Sequence, residues 1–349
     1  MTDVHWFDMA HPADYAGLQA LIGDPDSVAR LAVLVKTEGH TATNDFARQL
    51  SRTVLDPLLA PWTAAGRAVA VLANGCEGVA TPGGYALIER RPTRPQDDPG
   101  LRLGIARSAP LPLAVIGEPE AIDAVAACVT AARADAGLAA DQVALAILKC
   151  PTLLASRCAG SPHRSDQHRG RAIAALGAAV ALGEIERARI GPDAIANDPT
   201  LHSAKAMTFA GPEQDAVEAL VLGHADGGGG HGGVLRLGVC HPRDMLDAAS
   251  IRRLAVSLGL RFDEAGELTE PERLLAVFSK AGPTPDGRVR GARTGIFTSA
   301  YSADSHMRAA QSGLLGSLFG STRFFVSGDP IQQAPPGGGV VALIVKGQP

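Results

Sequence analysis

The sequence has few aromatic residues, no excess of positive charge and no long uninterrupted apolar run. Phe, Trp and Tyr account for 4% of its 349 residues, whereas 46% of the residues are hydrophobic and 40 are Gly. A core made from such a chain must be filled by Leu, Val, Ile and Ala, with close backbone approaches. The length suggests two or three domains or one repeated architecture.

The charge balance and the absence of apolar runs exclude several classes of partner. The formal net charge is −4 at pH 7, so no basic surplus is present to bind a phosphate backbone, and nucleic acid is not an expected partner. Arg, Asp or Gly interrupts every apolar run before it reaches membrane-spanning length. The first residues lack the basic and apolar regions of a secretory signal. We therefore predict a cytoplasmic protein without a membrane partner.

Cysteine is too scarce and too scattered for a disulfide framework or a zinc site. The five cysteines contain no pair separated by two residues, which fits a reducing compartment. No two histidines show the helical spacing of metal ligands, so we predict neither a metal nor a cofactor. The glycines at 337–339 lack the strand and helix context of a phosphate-binding loop, which argues against a nucleotide.

A weak internal repeat is the most informative feature of the chain. Three short, partly β-branched runs, at residues 31–36, 143–149 and 274–280, each end in a lysine. Their composition predicts buried strands that carry Lys36, Lys149 and Lys280 at their carboxyl ends.

The segments around these strands repeat in a constant order. Helical patterns occur at residues 44–59, with Asn44 as a candidate N-cap, and at 170–184, 248–258 and 305–319. Strands ending in a glycine turn are predicted at 68–75, 206–211 and 324–328. A last apolar strand is predicted at 85–89, 217–223 and 340–345. The repeated order is therefore helix, strand with lysine, helix, strand with glycine turn, strand.

A repeat of this length predicts three small α/β units. We place them at residues 1–99, 100–242 and 243–349, because polar or proline-rich stretches lie near residues 91–100 and 240–244. The glycine run at 226–233 is open to two interpretations, a mobile lid or a disordered insertion.

Several strings in the sequence are similar to those of one enzyme family. They are Lys36-Thr-Glu-Gly39, Gly75-Cys-Glu-Gly78, Lys149-Cys-Pro151, Asp247-Ala-Ala-Ser-Ile-Arg-Arg253, Pro285-Asp-Gly-Arg-Val-Arg-Gly291 and Pro336-Gly-Gly-Gly339. With them the chain resembles the ring-opening amidohydrolases, the family of cyanuric acid hydrolase and barbiturase, over nearly its whole length.

The resemblance implies a fold, a site and a reaction. Three pseudo-equivalent α/β units would surround a pseudo-threefold axis, and each would offer one Lys and one Ser to a single central site. The substrates would be flat cyclic imides or ureides that are opened by hydrolysis, and the protein would be a homotetramer.

The implied chemistry is physically reasonable. A serine hydroxyl attacks a carbonyl only when a neighbour takes its proton, and a lysine can do so only when neutral. Its pKa must therefore fall from roughly 10.4 towards neutrality, which burial and nearby cations bring about. Arginines can hold the carbonyl oxygens and the developing negative charge.

The sequence departs from the family at two of its three serines. The resemblance assigns Lys36, Lys149 and Lys280 to the catalytic lysines and Arg48, Arg171 and Arg308 to the substrate clamps. Ala73 and Phe209 replace the first two serines, and only Ser327 remains. Further substrate contacts are expected from Asn74, Ala210 and Gly328. Where the family has a metal-binding Glu this chain has Ile331, so we predict that this metal is absent.

The resulting hypothesis is a hydrolase that opens a cyclic amide or imide other than cyanuric or barbituric acid. Ser327 would be the nucleophile and Lys280 its base, with Lys36 and Lys149 tuning charge. The alternative is a homologue that binds a small ring, isomerises it, or has lost activity. Cys76 is either a replacement nucleophile or a small buried residue.

Overall fold

The structure, a computed structural model, describes residues 2–39, 45–91, 100–158, 160–225, 235–298 and 302–347. The strands are β1 (Thr2–Asp8), β2 (Val28–Thr37), β3 (Ala68–Asn74), β4 (Gly83–Arg90), β5 (Arg102–Arg107), β6 (Val143–Pro151), β7 (Ala206–Gly211), β8 (Glu218–Gly223), β9 (Leu235–Cys240), β10 (Leu274–Ala281), β11 (Arg288–Val289), β12 (Ala292–Arg293), β13 (Phe325–Gly328) and β14 (Gly339–Lys346). The helices are α1 (Ala16–Ile22), α2 (Ala47–Thr63), α3 (Ala121–Ala136), α4 (Gln167–Ala181), α5 (Ala248–Ser257) and α6 (Ala303–Phe319).

Three four-stranded sheets share one strand order. The orders are β1-β4-β2-β3, β5-β8-β6-β7 and β9-β14-β10-β13, and β11 pairs with β12 in a separate hairpin. In each of these orders the second strand is antiparallel to the first and to the third, and the third and fourth strands are parallel to each other. A helix connects the two parallel strands in every case, as a parallel connection requires. The predicted α/β class is confirmed.

The strands predicted to carry lysine or to end in a glycine turn are confirmed. The apolar strands predicted to come last along the chain in each unit are also confirmed, as β4, β8 and β14. The opening strands β1, β5 and β9 and the helices α1 and α3 were not predicted from the patterns. Helix α2 begins at Ala47 rather than at 44, and Asn44 lies outside the described residues. The unit boundaries remain a prediction. Because β9 pairs with β14, a division that follows the sheets would fall before Leu235 rather than after residue 242.

Strand alternation brings one face of each sheet into a common core. Alternate residues of the lysine-bearing strands belong to one buried cluster, for example Leu34 in β2, Ile147 in β6 and Phe278 in β10. The lysines lie two residues further along the same faces. The fold therefore directs all three lysines towards the region where the three sheets meet.

The opposite face of each sheet is covered by its own helices. The first sheet packs on α1 and α2, the second on α3 and α4, and the third on α5 and α6. Cys150 follows Lys149 and packs into the helix-covered core of the second sheet, as alternation predicts.

The described helices include none that is long and apolar enough to cross a membrane. The glycine run at 226–233 lies outside the described residues.

The contact between α3 and β5 depends on a residue without a side chain. A Cβ atom placed on Gly104 would lie 2.0 Å from the carbonyl oxygen of Ala132 and 2.7 Å from the Cβ of Ala136. We expect Gly104→Ala to lower the free energy of unfolding by about 1–3 kcal/mol, because α3 would have to move off the sheet. Urea denaturation measures this change.

The matched control is Gly191→Ala. Gly191 has φ −78°, and no atom lies within 4 Å of the position that its Cβ would take. This substitution should leave the midpoint of unfolding nearly unchanged. Equal effects of the two substitutions would contradict the proposed close contact.

Candidate active site

A polar cavity of about 350 Å³ lies where the three sheets meet. Ten of the twelve residues selected from the sequence line it, namely Arg48, Ala73, Asn74, Lys149, Arg171, Phe209, Ala210, Arg308, Ser327 and Gly328. The other two, Lys36 and Lys280, are completely buried in the same region. Segments that are far apart in the chain therefore converge on one small space.

The strand register pairs each lysine with one of the positions assigned to serine. Lys36 lies opposite Ala73, Lys149 opposite Phe209, and Lys280 opposite Ser327 in the parallel pairs β2/β3, β6/β7 and β10/β13. Residues in register on neighbouring strands project from the same face and are about 4.8 Å apart. Among the three pairs, only Lys280 therefore has a serine, Ser327, in register beside it.

Two of the lysines reach across to the neighbouring sheet. The ammonium of Lys149 donates a hydrogen bond to the carbonyl of Leu72, at 3.1 Å. Lys280 likewise donates to the carbonyl of Thr208, the residue before Phe209. The Phe209 ring centroid lies 4.6 Å from the Lys280 Nζ, so this aromatic ring forms one wall around the amine.

Lys36 has a different environment. Its ammonium donates to the carbonyl of Asn74 in its own sheet, at 2.7 Å, and it lies 5.9 Å from the Phe325 ring centroid in the third sheet. Burial lowers the pKa of Lys36 to about 7, and the positive charge of Arg308 adds to this effect.

Lys149 and Lys280 differ in their charged neighbours. Burial lowers the pKa of Lys280 well below its ordinary value, and the nearby Arg171 guanidinium acts in the same direction. Burial also lowers the pKa of Lys149, but only to about 8, because the Glu213 carboxylate lies 2.5 Å from its Nζ and opposes the shift. Lys149 is therefore held in an ion pair, whereas no carboxylate contacts Lys280 among the described residues.

A cycle of arginine–carboxylate pairs links the three sheets around the cavity. Each arginine comes from the helix that connects the two parallel strands of one sheet, and each carboxylate follows the strand of the next sheet. The pairs are Arg48 with Glu213 at 3.4 Å, Arg171 with Asp329 at 2.5 Å, and Arg308 with Glu77 through two donors. The predicted substrate clamps are thus also the contacts that join the sheets.

The third carboxylate stands at a different position from the other two. Glu77 and Glu213 stand four residues beyond Ala73 and Phe209, and Ile331 stands four residues beyond Ser327. Asp329 occupies the position of the turn glycine instead, with φ +54°, a conformation that is uncommon for residues other than glycine. It supplies the carboxylate that Ile331 cannot. The sequence pattern placed the third turn glycine at Gly328, so Asp329 was not considered as a site residue.

The structure separates the remaining nucleophile candidates. Ser327 lines the cavity, and its hydroxyl makes no hydrogen bond with another residue in the described ranges. Thr208 donates to the Arg171 carbonyl on the other face of β7, as alternation predicts. The Cys76 thiol contacts the backbone carbonyls of Lys36 and Thr37, and burial raises its pKa to about 11. Cys76 is partly buried, and these contacts favour a packing role over that of a nucleophile.

Five further polar residues line the cavity and were not selected from the sequence. They lie at or just before the beginnings of α4 and α6, and they are Ser165, Asp166, Gln167, His168 and Asp304. The Nδ1–H of His168 donates a hydrogen bond to the Asp329 carboxylate at 2.8 Å, and this contact raises the pKa of His168. The only sequence signal was their position at the starts of the helices that carry Arg171 and Arg308.

No group of three or more His, Cys, Asp or Glu side chains that could hold a metal ion occurs in the described part of the chain. The absence of a metal at the position of Ile331 remains a prediction. The cavity residues that carry charge are instead arginines, lysines and their carboxylate partners, which suits an organic ligand with carbonyl oxygens.

Comparisons with known proteins show which family this chain belongs to. Residues 3–346 match the family described as Amidohydrolase ring-opening protein (Amido_AtzD_TrzD). A cyanuric acid amidohydrolase from Methylobacterium sp. (strain 4-46) is 35% identical, with 97% of this chain and 95% of the relative covered. A cyclic amide hydrolase from Azorhizobium caulinodans is 32% identical, with 98% and 99% covered.

Solved structures show the same similarity. The crystal structure of a cyanuric acid hydrolase from A. caulinodans superimposes with a TM-score of 0.85 at 30% identity, over 100% of this chain and 99% of that chain. A second solved cyanuric acid hydrolase gives a TM-score of 0.86, also at 30% identity, over 99% of each chain. The match in sequence and in fold extends over the whole chain, and the protein belongs to the ring-opening amidohydrolase family.

Proposed function

We propose that this protein hydrolyses a cyclic amide or imide and that Ser327, activated by Lys280, opens the ring. The observation that carries the proposal is the register of β10 and β13, which sets this serine beside a fully buried lysine on the face of the central cavity. Relatives named cyanuric acid amidohydrolase and cyclic amide hydrolase support the reaction class. The loss of two serine positions supports a substrate other than cyanuric or barbituric acid.

The environment of Lys280 suits a general base. Burial and Arg171 favour its neutral form, in which the nitrogen keeps two N–H groups and one lone pair. One N–H is used by the Thr208 carbonyl, so the lone pair remains available for the proton of Ser327. The Phe209 ring excludes water from this side of the amine.

The reaction then follows in balanced steps. The Ser327 oxygen bonds to the ring carbonyl carbon, and its proton passes to Lys280. The carbon–nitrogen bond of the ring breaks, and the departing nitrogen takes the proton from the Lys280 ammonium. Water, deprotonated by the neutral Lys280, next attacks the acyl group on Ser327. The serine recovers its proton from the ammonium, and the open-chain carboxylic acid is released.

The two other lysines contribute charge. Glu213 favours the ammonium form of Lys149, which suits stabilisation of the negative oxygen in the tetrahedral intermediate. Lys36, with a pKa of about 7, adds positive potential to the same region while it is protonated. Arg48, Arg171 and Arg308 are already held in fixed positions by their carboxylates, and their remaining N–H groups can bind the carbonyl oxygens of a flat ring.

The proposal also includes an assembly state, a location and a division of the chain into units. A homotetramer, a cytoplasmic location and the division into units 1–99, 100–242 and 243–349 are consistent with membership of the family.

The alternative function is ring binding without hydrolysis. It is favoured by one observation, the absence of a hydrogen bond between the Ser327 hydroxyl and any described residue.

The first prediction concerns the nucleophile. Ser327→Ala should lower kcat for opening of a cyclic imide by about 10³-fold or more, while the ring still binds, because only the attacking oxygen is removed. Cys76→Ser is the matched control and should retain activity. Chromatographic detection of the open-chain product measures both. Activity that survives in Ser327→Ala but is lost in Cys76→Ser would exclude the proposed nucleophile.

The second prediction concerns pH. Activity should rise as Lys280 loses its proton and fall as Lys149 loses its own, at a pH of about 8. Glu213→Gln removes the carboxylate that raises the pKa of Lys149, so the falling limb should move to lower pH. The rising limb should stay in place. A profile of kcat/KM against pH tests this, and an unchanged falling limb would argue against a catalytic ammonium at Lys149.

A further inference from the structure

A second cavity, of about 560 Å³, adjoins the central one. We call it the side chamber, and its apolar wall is formed by Pro283, Pro285, Pro330, Ile331, Ala334 and Pro335. The side chains of His168, Arg171 and Asp304 line both cavities. The two spaces are therefore neighbours that share one polar partition, and a molecule in one can extend into the other.

The chemistry of the two cavities differs. Arginine, lysine and carboxylate groups surround the central cavity, as a flat ring with several carbonyl oxygens requires. The apolar wall of the side chamber offers few groups for hydrogen bonding, and its proline rings leave little freedom for the wall to collapse. Such a surface binds alkyl or aryl groups by removing them from water.

The wall of the side chamber is fixed before any ligand binds. Among the described residues, four other than glycine have positive φ, and three of them line this chamber: Ala196 (65°), Asp329 (54°) and Gln332 (52°). Backbone conformations of this kind cost free energy and persist where the surroundings enforce them, often at ligand sites. Their concentration in one wall is a second, independent indication of function.

Buried hydrogen bonds enforce this conformation. The Gln332 side chain is 2% exposed, accepts from the Ala196 amide at 3.0 Å, and donates to the carbonyls of Ala194 and Asp198 at 3.0 and 3.1 Å. The Gln332 carbonyl accepts from the Ser203 amide at 2.9 Å. The segment that follows β13 is thus fastened to the second sheet's long loop, and the side chamber lies between them.

We infer that the side chamber binds an apolar substituent of the substrate ring, so that the substrate is a cyclic amide or imide bearing an alkyl or aryl group. This inference rests on the proposed function, because it takes the ring to occupy the central cavity. The substituent would pass beside the Arg171–Asp329 pair, and the N–H groups of Arg171 would hold a ring carbonyl at the junction of the two cavities.

The test uses matched pairs of compounds with and without a phenyl group. Succinimide, hydantoin and barbituric acid are compared with their carbon-phenylated derivatives, by calorimetric binding and by product formation. For at least one ring we expect the phenylated compound to bind about tenfold more tightly or better, since a buried phenyl group gains roughly this much. The unsubstituted ring should compete with it for binding.

Two substitutions of one residue locate the effect. Ile331→Asp places a charge in the apolar wall, and Ile331→Trp fills the side chamber. Each should remove the preference for the phenylated compound and leave binding of the unsubstituted ring within about threefold. Val256→Asp and Val256→Trp are the matched controls, since Val256 is 55% exposed on α5, away from both cavities. Thermal unfolding verifies that each variant is folded.

The outcomes distinguish this inference from the proposed function. Ring opening without any preference for phenylated compounds overturns the side-chamber inference and leaves the hydrolase proposal standing. A preference that the Ile331 variants abolish, without ring opening, supports the side chamber and overturns the hydrolase proposal. Two results would place the phenyl group elsewhere and overturn the inference. One is that the unsubstituted ring cannot displace the phenylated compound. The other is that the preference for the phenylated compound is unchanged in the Ile331 variants. If no compound binds, both proposals fail.

Discussion

The burial of three lysine side chains at the meeting point of three sheets is the constraint on which the site depends. An ammonium removed from water must find a carboxylate or lose its proton. Lys149 finds Glu213, whereas Lys280 has no carboxylate in contact among the described residues and is driven towards its neutral form. One structural device therefore yields a cation and a base within the same cavity, although the residues are chemically identical.

The arginine–carboxylate cycle explains how the cavity keeps its shape. Because each arginine pairs with a carboxylate of the next sheet, no sheet completes its part of the site alone. The three pairs are not built identically. In the third sheet Ile331 replaces the expected carboxylate, and Asp329 supplies one from two residues earlier at the cost of a left-handed backbone. The third ion pair therefore uses a carboxylate two residues earlier than the other two pairs do.

The same turn borders an apolar space beside the site. Ile331, Pro330 and their neighbours line the side chamber, and Asp329 stands at its border with the central cavity. Phe209 brings a further apolar surface next to Lys280. Ala73 and Phe209 in the cavity and the apolar turn after β13 all provide few hydrogen-bonding side chains, which agrees with the proposal of a ring that bears an apolar substituent.

The sequence alone determined the strands, their lysines and the faces on which these lie, because strand alternation and apolar runs are local properties. It also located the glycine turns and the surviving Ser327. It could not show the opening strands β1, β5 and β9, whose partners are distant in the chain. Only the tertiary structure decided which carboxylate meets which cation: Glu213 contacts Lys149, and Asp329 contacts Arg171, across different sheets. Such pairings depend on how the three sheets meet, and the pKa of each lysine depends on them in turn.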